Sequence, residues 1–325
     1  MSRKSANDAL IIGIPSKGRL QENANAFFAR AGMNVKQAGG GREYVGRLSG
    51  VAGVAVAFLS ASEIAARLED GSIHYGDTGE DQIREQLADA DNSVELVLPL
   101  GFGYADVVVA VPQSWIDVST MADLDDVALG FHRRHGRRLR IATKYLNLTR
   151  AFFAEHGLTD YRIVESAGAT EGAPAAGTAE AIVDITTTGS TLAANNLKIL
   201  DDGVILKSQA NLVASLRADW AAPAFAAAAS MLDMIDAKRH AEAHVVVTAL
   251  GKFDRAKAAK ELVQKFGCSN EGRGSDLTLL CPRANLHDVA NRLRALGAET
   301  VTVSSAEYVF RAKNDLLAQL KKRLK

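Results

Sequence analysis

Cysteine is nearly absent. Only Cys268 and Cys281 occur in 325 residues, at neither a metal-ligand spacing nor in the number that a disulfide framework needs. This excludes a small stapled fold and a structural zinc site, suits a reducing compartment, and leaves both residues to be read as packing. An excess of charge is missing too: 38 basic residues balance 38 acidic ones. No global field therefore draws the chain to nucleic acid or to an anionic membrane, and any anion site has to be local. Long apolar runs are also lacking. The run at 9–15 is broken by glycine and proline and carries no small-residue cleavage site, which argues against a secretory signal. The alanine-rich stretch at 220–231 is too short and too weakly apolar to span a bilayer. A cytoplasmic protein with no membrane or nucleic-acid partner is expected. What the chain does have is 47% hydrophobic residues, enough to core two or three domains.

The most informative stretch is Glu180-Ala-Ile-Val-Asp-Ile-Thr-Thr-Thr-Gly-Ser-Thr-Leu192. Residues 181–185 form a short apolar run of the kind a buried parallel strand shows, and a helical pattern resumes over 192–200 after a turn. Four hydroxyls (Thr187, Thr188, Ser190, Thr191) and Gly189 fill that turn. The first N–H groups of the following helix lack intrahelical acceptors, so the turn suits a phosphate monoester. Asp184 at the strand end is an acceptor for ribose hydroxyls. The plainer reading, a strand, a Ser/Thr N-cap and a helix, stays open on these residues alone.

The whole run from Gly168 to Leu197 resembles the signature region of the ATP phosphoribosyltransferase family. Type I phosphoribosyltransferases carry two adjacent acids before a similar Thr-Gly-x-Thr turn, whereas here Asp184 is followed by Ile185. A second resemblance lies near the amino terminus. A strand over 10–15 leads into Pro15-Ser-Lys-Gly-Arg-Leu20, where Lys17 and Arg19 flank Gly18 at a helix start. Such a pair is either solvated or holds phosphates, and the family's matching motif contributes to its nucleotide site. Arg42 and Arg47 are further cations, read as solvated loop charges.

Other motifs follow the same family pattern with departures. In His74-Tyr-Gly-Asp-Thr-Gly79, His74 stands where an acid is usual and Asp77 where an apolar residue is; Ser60 stands where many members have arginine. A lone histidine is more often structural than catalytic, and His74 receives no chemical role. Pro99-Leu-Gly-Phe-Gly-Tyr104 resembles the crossing from a first lobe to a second, with two glycines suited to a hinge. Ile141-Ala-Thr-Lys-Tyr-Leu-Asn-Leu-Thr149 again turns a strand into a helix and places Lys144 at its end, with Leu146 replacing the family's proline. The basic run at 131–140 lacks interleaved aromatics and reads as a solvated loop. Glu171 precedes the phosphate turn. Strand carboxyl ends thus converge on one cleft.

From residue 244 the pattern changes to strand, helix, strand, helix, strand, which suggests a ferredoxin-like module. The expected fold is therefore α/β: a two-lobed, periplasmic-binding-protein-like catalytic region with a C-terminal ferredoxin-like (ACT-like) α+β domain. The expected division is residues 1–105 with 204–238 as the first lobe, 106–203 as the second lobe carrying the phosphate turn, and 241–325 as the third domain. A basic tail at 311–325 has Leu316, Leu317, Leu320 and Leu324 at helical spacing.

The resemblance implies a long-form ATP phosphoribosyltransferase, joining N1 of ATP to C1 of phosphoribosyl pyrophosphate with release of pyrophosphate, at the start of histidine biosynthesis. It implies Mg²⁺, feedback inhibition by L-histidine at the third domain, and a homo-oligomer, either dimer or hexamer. Thr187, Thr188, Gly189, Ser190 and Thr191 would hold the 5-phosphate, Asp184 and Glu171 the ribose hydroxyls, and Lys17, Gly18 and Arg19 the nucleotide or diphosphate; no metal ligands are assigned. The competing expectation is a cytoplasmic small-molecule binding protein of the same two-lobed fold, without turnover.

Overall fold

The computed structural model describes residues 9–37, 45–166, 168–272 and 276–325; the run at 39–44, with Arg42, lies outside them. Strand Leu10–Pro15 is buried on both faces, as a run with no polar side chain suits. It pairs in parallel with Val54–Leu59 and Tyr75–Gly79 at the centre of a seven-stranded sheet. Helices Gly18–Arg30, Ala61–Glu69 and Glu80–Gln86 follow these three strands. Phe27 and Phe28 of the first helix pack with Leu10, Ile12 and Ile14 in one core, and Ile64, Leu68 and Ile83 of the other two build a second core. Ala210–Ser215 and Val94–Pro99 complete the sheet antiparallel to their neighbours.

A second sheet of five strands has its own cores. Ala181–Thr186 lies between Ala105–Pro112, to which it is antiparallel, and Leu139–Thr143, to which it is parallel. Two crossings join the sheets. The outgoing one, at 100–104, uses Gly101 (φ 75°) and Gly103 (φ 66°) in left-handed backbone. A Cβ at Gly103 would also stand 3.0 Å from the Leu20 side chain, so glycine is needed for space as well as for conformation. The return crossing lies at Gln209, between Leu197–Ser208 in the second sheet and Ala210–Ser215 in the first. It comes later than the sequence reading at 204, because the last strand stays paired with Ala105–Pro112 up to Ser208.

The basic run is not the solvated loop expected. Its first half ends helix Met121–His135, which a Thr120–Asp123 capping box starts; cations suit such a helix end. Its second half is drawn into ion pairs, Arg137 and Arg140 with Glu180 and Arg138 with Asp160. Burial pushes the Glu180 carboxyl up, but hydrogen bonds from Arg140 and Arg137 outweigh it and hold the group down at about 2.

Helix Ala222–Ala243, with proline in its first turn, leads to a third sheet in the order Ser269–Asn270, Leu277–Pro282, His244–Leu250, Thr300–Ser304. All its pairings are antiparallel, and helices Arg255–Phe266 and Leu286–Ala295 share one core with it. This is the ferredoxin-like arrangement, so the expected fold class is present. Cys268 and Cys281 are buried in that core. The tail helix Asp315–Arg323 sits elsewhere: its Leu316 and Leu320 enter the first sheet's core.

One core residue is out of place. Asp77, in the central strand Tyr75–Gly79, is 1% exposed, and neither carboxylate oxygen has a hydrogen-bond partner. Burial alone pushes its carboxyl up to about 8, so it is mostly neutral at pH 7. A carboxyl raised in the folded state holds a proton that the unfolded chain releases near pH 4, so stability is greatest at low pH and is lost as pH rises towards 8. Replacing it with valine should raise the melting temperature. The stability difference between Asp77→Val and the parent should also widen between about pH 4 and 8, at most by roughly 1.4 kcal/mol per unit. Denaturant titrations across that range would test this; a difference that stays flat with pH would refute an uncompensated carboxyl.

Candidate active site

The turn after Ala181–Thr186 is shaped by its own hydroxyls. Gly189 is left-handed at φ 73° and its N–H donates to Thr186 Oγ1 at 2.9 Å. Thr188 Oγ1 and Ser190 Oγ lie 2.9 Å apart, and Thr187 Oγ1 donates to the Tyr104 carbonyl at 3.0 Å, tying the turn to the outgoing crossing. Thr187, Thr188, Ser190 and Thr191 are exposed. The helix that follows is only Ser190–Ala194, not the longer one expected through residue 200. Asn196 takes a left-handed conformation at φ 56°, which asparagine tolerates, and the chain enters the strand at Leu197. With so short a helix, exposed N–H and hydroxyl groups rather than a long macrodipole would have to meet an anion.

Asp184 lies beside this turn, with Oδ1 accepting from the Ile185 N–H at 2.8 Å. Burial pushes its carboxyl above the ordinary range and Glu171 adds to the push, against the Ile185 N–H and the Lys144 charge. Glu171 stands in a single turn, Thr170–Gly172, entered through left-handed Ala169. The second sheet thus brings Asp184 and Lys144 to the carboxyl end of its strands, with Glu171 near enough to act on the Asp184 carboxyl. In the first lobe, Lys17 is the N-cap of helix Gly18–Arg30 in extended backbone, and Gly18, at φ 72°, has open space where a Cβ would be. Lys17, Arg19 and Lys144 are exposed and make no ion pair among the described residues.

Between the lobes is a cavity of about 340 Å³ lined by residues such as Leu20, Ser62, Gly103, Lys144, Tyr145 and Ile185. None of the expected contact residues lines it; Leu20 and Ile185 are sequence neighbours of Arg19 and Asp184, and Arg47 does not reach it. Asp81 closes one side. Its carboxylate accepts from Tyr145 Oη at 2.9 Å, Ser208 Oγ at 2.9 Å and Gln82 Nε2 at 2.8 Å, and its N–H donates to Ser208 Oγ at 3.0 Å. Burial, with Asp81, Asp184 and Glu85 facing it, pushes the Tyr145 phenol far up, so it remains a donor. The sequence reading missed Asp81, Tyr145 and Ser208. Of these only Asp81 stands near a motif, two residues after the second glycine of His74-Tyr-Gly-Asp-Thr-Gly79, and its partners are remote in sequence.

The departures are structural. Ser60 caps helix Ala61–Glu69 in a full capping box with Glu63. His74 is buried, accepting from the Ile11 N–H and bonded through Nε2 to the Asp219 carbonyl; burial pulls its pKa down. A neutral ring with both nitrogens engaged has no group left for chemistry.

Residues 60–236 match the family model described as ATP phosphoribosyltransferase. The chain is 58% identical over 314 residues to a protein of that name from Bradyrhizobium diazoefficiens, covering 95% of this chain and 97% of that one. It is 56% identical over 315 residues to the namesake from Rhodopseudomonas palustris strain HaA2, with the same coverage. The ATP phosphoribosyl transferase (HisG:HisZ) complex from Thermotoga maritima contains a chain similar in fold, with a TM-score of 0.53 at 23% identity, covering 70% of this chain and 98% of that one.

The Asp81 junction is testable by itself. Tyr145→Phe removes one donor from a buried carboxylate and should cost about 1–3 kcal/mol of unfolding free energy. An unchanged denaturation midpoint would mean that the hydroxyl carries no stability.

Proposed function

Because the chain belongs to the ATP phosphoribosyltransferase family, and so transfers the phosphoribosyl group of phosphoribosyl pyrophosphate to N1 of ATP in the first step of L-histidine biosynthesis, we propose the following division of labour in its cleft. The turn Thr187, Thr188, Gly189, Ser190 and Thr191 takes the 5-phosphate. Asp184 accepts from the ribose hydroxyls, with Glu171 beside it. Lys17 and Arg19, with Gly18 allowing close approach, attend nucleotide and diphosphate oxygens, and Lys144 adds a third unpaired cation. What carries this reading is the partly buried Asp184 adjoining a hydroxyl-lined turn that opens to solvent. Family membership sets aside the alternative of a binding protein without turnover.

In the reaction the C1–O bond to the diphosphate breaks with its electron pair leaving on oxygen, and the lone pair of adenine N1 forms the new bond to C1. No side-chain nucleophile and no strong base are required. The ribose becomes cation-like and the leaving group gains negative charge. Asp184 and Glu171 face the first change and Lys17, Arg19 and Lys144 the second. Holding both reactants in line is worth about 7–11 kcal/mol.

Among the described residues no group of three or more potential ligands forms a metal cage. The fit is instead with Mg²⁺ bound through one or two carboxylates and substrate phosphates. Asp184 and Glu171, whose mutual repulsion adds to the raised pKa of Asp184, are the acids present. When bound, the ion would neutralise diphosphate charge.

The third sheet is the proposed seat of histidine inhibition, the proposed compartment is the cytoplasm, and the proposed assembly is a dimer or hexamer. No helix among the described residues is long and apolar enough to cross a membrane. The proposed domain division is two lobes, 1–105 with the segment from the Gln209 crossing to 238, and 106–208, followed by a regulatory unit from 241. Truncation before that unit is a poor test of it, because it would also remove Leu316 and Leu320 from the first lobe's core.

Two experiments check the reading. Asp184→Ala, folded by circular dichroism, should lose on the order of 100-fold or more in pyrophosphate release, because an unanchored ribose is poorly oriented; near-parental turnover would defeat the assignment. Free histidine titrated into the full-length enzyme should lower the same rate, and insensitivity up to millimolar histidine would remove the regulatory role.

A further inference from the structure

Helix Leu146–Glu155 begins without a cap of its own. Tyr145, at its N-cap position, makes no side-chain cap, and the first turn holds no acid. Its free N–H groups are served from the other lobe. The Glu85 carboxylate accepts from the Asn147 N–H at 3.0 and 3.1 Å and from the Leu148 N–H at 3.0 Å, and Asn147 Nδ2 donates to the Glu85 carbonyl at 2.8 Å. Ser60, Thr120, Asp254 and Asn314 each cap the helix they begin, and remote side chains also serve the first turns of helices Met121–His135 (Asp202 to the Met121 N–H) and Glu80–Gln86 (Ser208 to the Asp81 N–H). The cap on Leu146–Glu155 comes from 62 residues away.

The capping residue is well anchored. Glu85 belongs to helix Glu80–Gln86, whose start is fixed to the return crossing by Asp81 with Ser208 and by the Glu80 N–H to the Gln209 carbonyl at 3.1 Å. One short helix therefore touches the crossing, the Tyr145 hydroxyl and the start of the second lobe's helix. A cavity of about 540 Å³, lined in part by Gln82, Glu85, Lys144, Tyr145 and Asn147, adjoins this contact.

We propose that Glu85 is a positioning residue for phosphoribosyl transfer: by capping helix Leu146–Glu155 across the cleft, it stabilises the closed arrangement that brings Lys144 and Tyr145 against the first lobe. An open arrangement leaves the Asn147 and Leu148 N–H groups and the Glu85 charge to water. A helix cap with a charge at the positive end of the dipole shifts such an equilibrium by about ten-fold. A ligand that needs both walls then binds more weakly in proportion to the closed fraction lost. The role in transfer rests on the reading that both substrates sit between the lobes; the latch itself does not.

The test uses full-length Glu85→Ala, Glu85→Gln and the double variant Glu85→Ala with Asn147→Asp, which gives the helix an acid of its own without bridging the lobes. Small-angle scattering of the substrate-free proteins reads closure, and steady-state pyrophosphate release reads function. Glu85→Ala should enlarge the radius of gyration and raise KM for both substrates about ten-fold with kcat changed much less. Glu85→Gln, keeping an acceptor oxygen but no charge, should fall between it and the parent. The double variant should regain melting temperature without regaining KM or compactness. An unchanged radius in Glu85→Ala overturns the latch. Restoration of KM by Asn147→Asp overturns it as well, since the cap would then act only on its own helix. A larger radius with unchanged KM overturns the role in transfer and points to substrates that do not sit between the lobes. Should Glu85→Ala fail to accumulate folded, parental KM and radius in Glu85→Gln overturn the proposal.

Discussion

A buried carboxylate is tolerated only where donors meet its oxygens, and Asp81 finds them in three parts of the chain. At 6% exposure it holds Tyr145 from the turn that ends a second-sheet strand, Ser208 from the return crossing and Gln82 from its own helix. The two sheets have separate cores, joined besides by two extended crossings and by the Glu85 contact with Asn147 and Leu148. With Asp81 in place, the carboxyl ends of their strands face each other across one cavity. The turn at 187–191 is referred to the same frame through Thr187 and the Tyr104 carbonyl. The hydroxyl-lined turn of one lobe and the cations of the other are thus positioned by one buried hydrogen-bond cluster, the kind that is strong when water is excluded.

Asp77 shows the same chemistry without the partners. It sits four residues before Asp81, on the strand that feeds that helix, and pairs in register with Leu212 at the heart of the first sheet. Burial that is compensated at Asp81 is uncompensated at Asp77, and the difference lies in direction: Asp77 faces a hydrocarbon core, Asp81 faces the junction. A protonated acid in the core is tolerable near neutral pH, which is why the fold accommodates it. Its contribution to stability falls as pH rises towards 8.

Much of this was legible in the sequence where local pattern and environment agree. Strands such as those at 10–15 and 181–185 announced themselves as apolar runs with turn residues behind them, and the third sheet by its alternation. The strand, the hydroxyl-lined turn and its glycine could be placed because they follow one another in a short stretch of sequence. Helix Met121–His135 was missed although Thr120 and Asp123 form a readable capping box; charge at 131–138 hid its continuation. The length of helix Ser190–Ala194 was misjudged because Asn195 and Asn196 look polar-helical until one of them takes a left-handed conformation. Asp81, Tyr145 and Glu85 were out of reach for a different reason. Their roles consist of contacts spanning 62 to 127 residues, and nothing in the local sequence of a carboxylate says which lobe its acceptors will serve.

The tail shows how the third sheet is held to the catalytic lobes. Helix Ala222–Ala243 enters that sheet directly, and after Thr300–Ser304 the chain returns along the same helix. The Val309 N–H donates to the Ala237 carbonyl at 3.0 Å, Lys238 Nζ donates to the Glu307 carbonyl at 3.4 Å, and Arg311 pairs at 3.4 Å with Asp236, itself only 5% exposed. Helix Asp315–Arg323 then inserts Leu316 and Leu320 into the first core and pairs Arg323 with Glu95 at 2.7 Å. The third sheet is therefore fastened at both its entrance and its exit. Its displacement as a rigid body has to shear the return segment along helix Ala222–Ala243 or draw two leucines out of the first lobe, and burial of such side chains is worth about 1.5–3 kcal/mol each. A linker of flexible residues would let the third unit move without the first feeling it; this connection makes the packing of the first lobe part of any such motion.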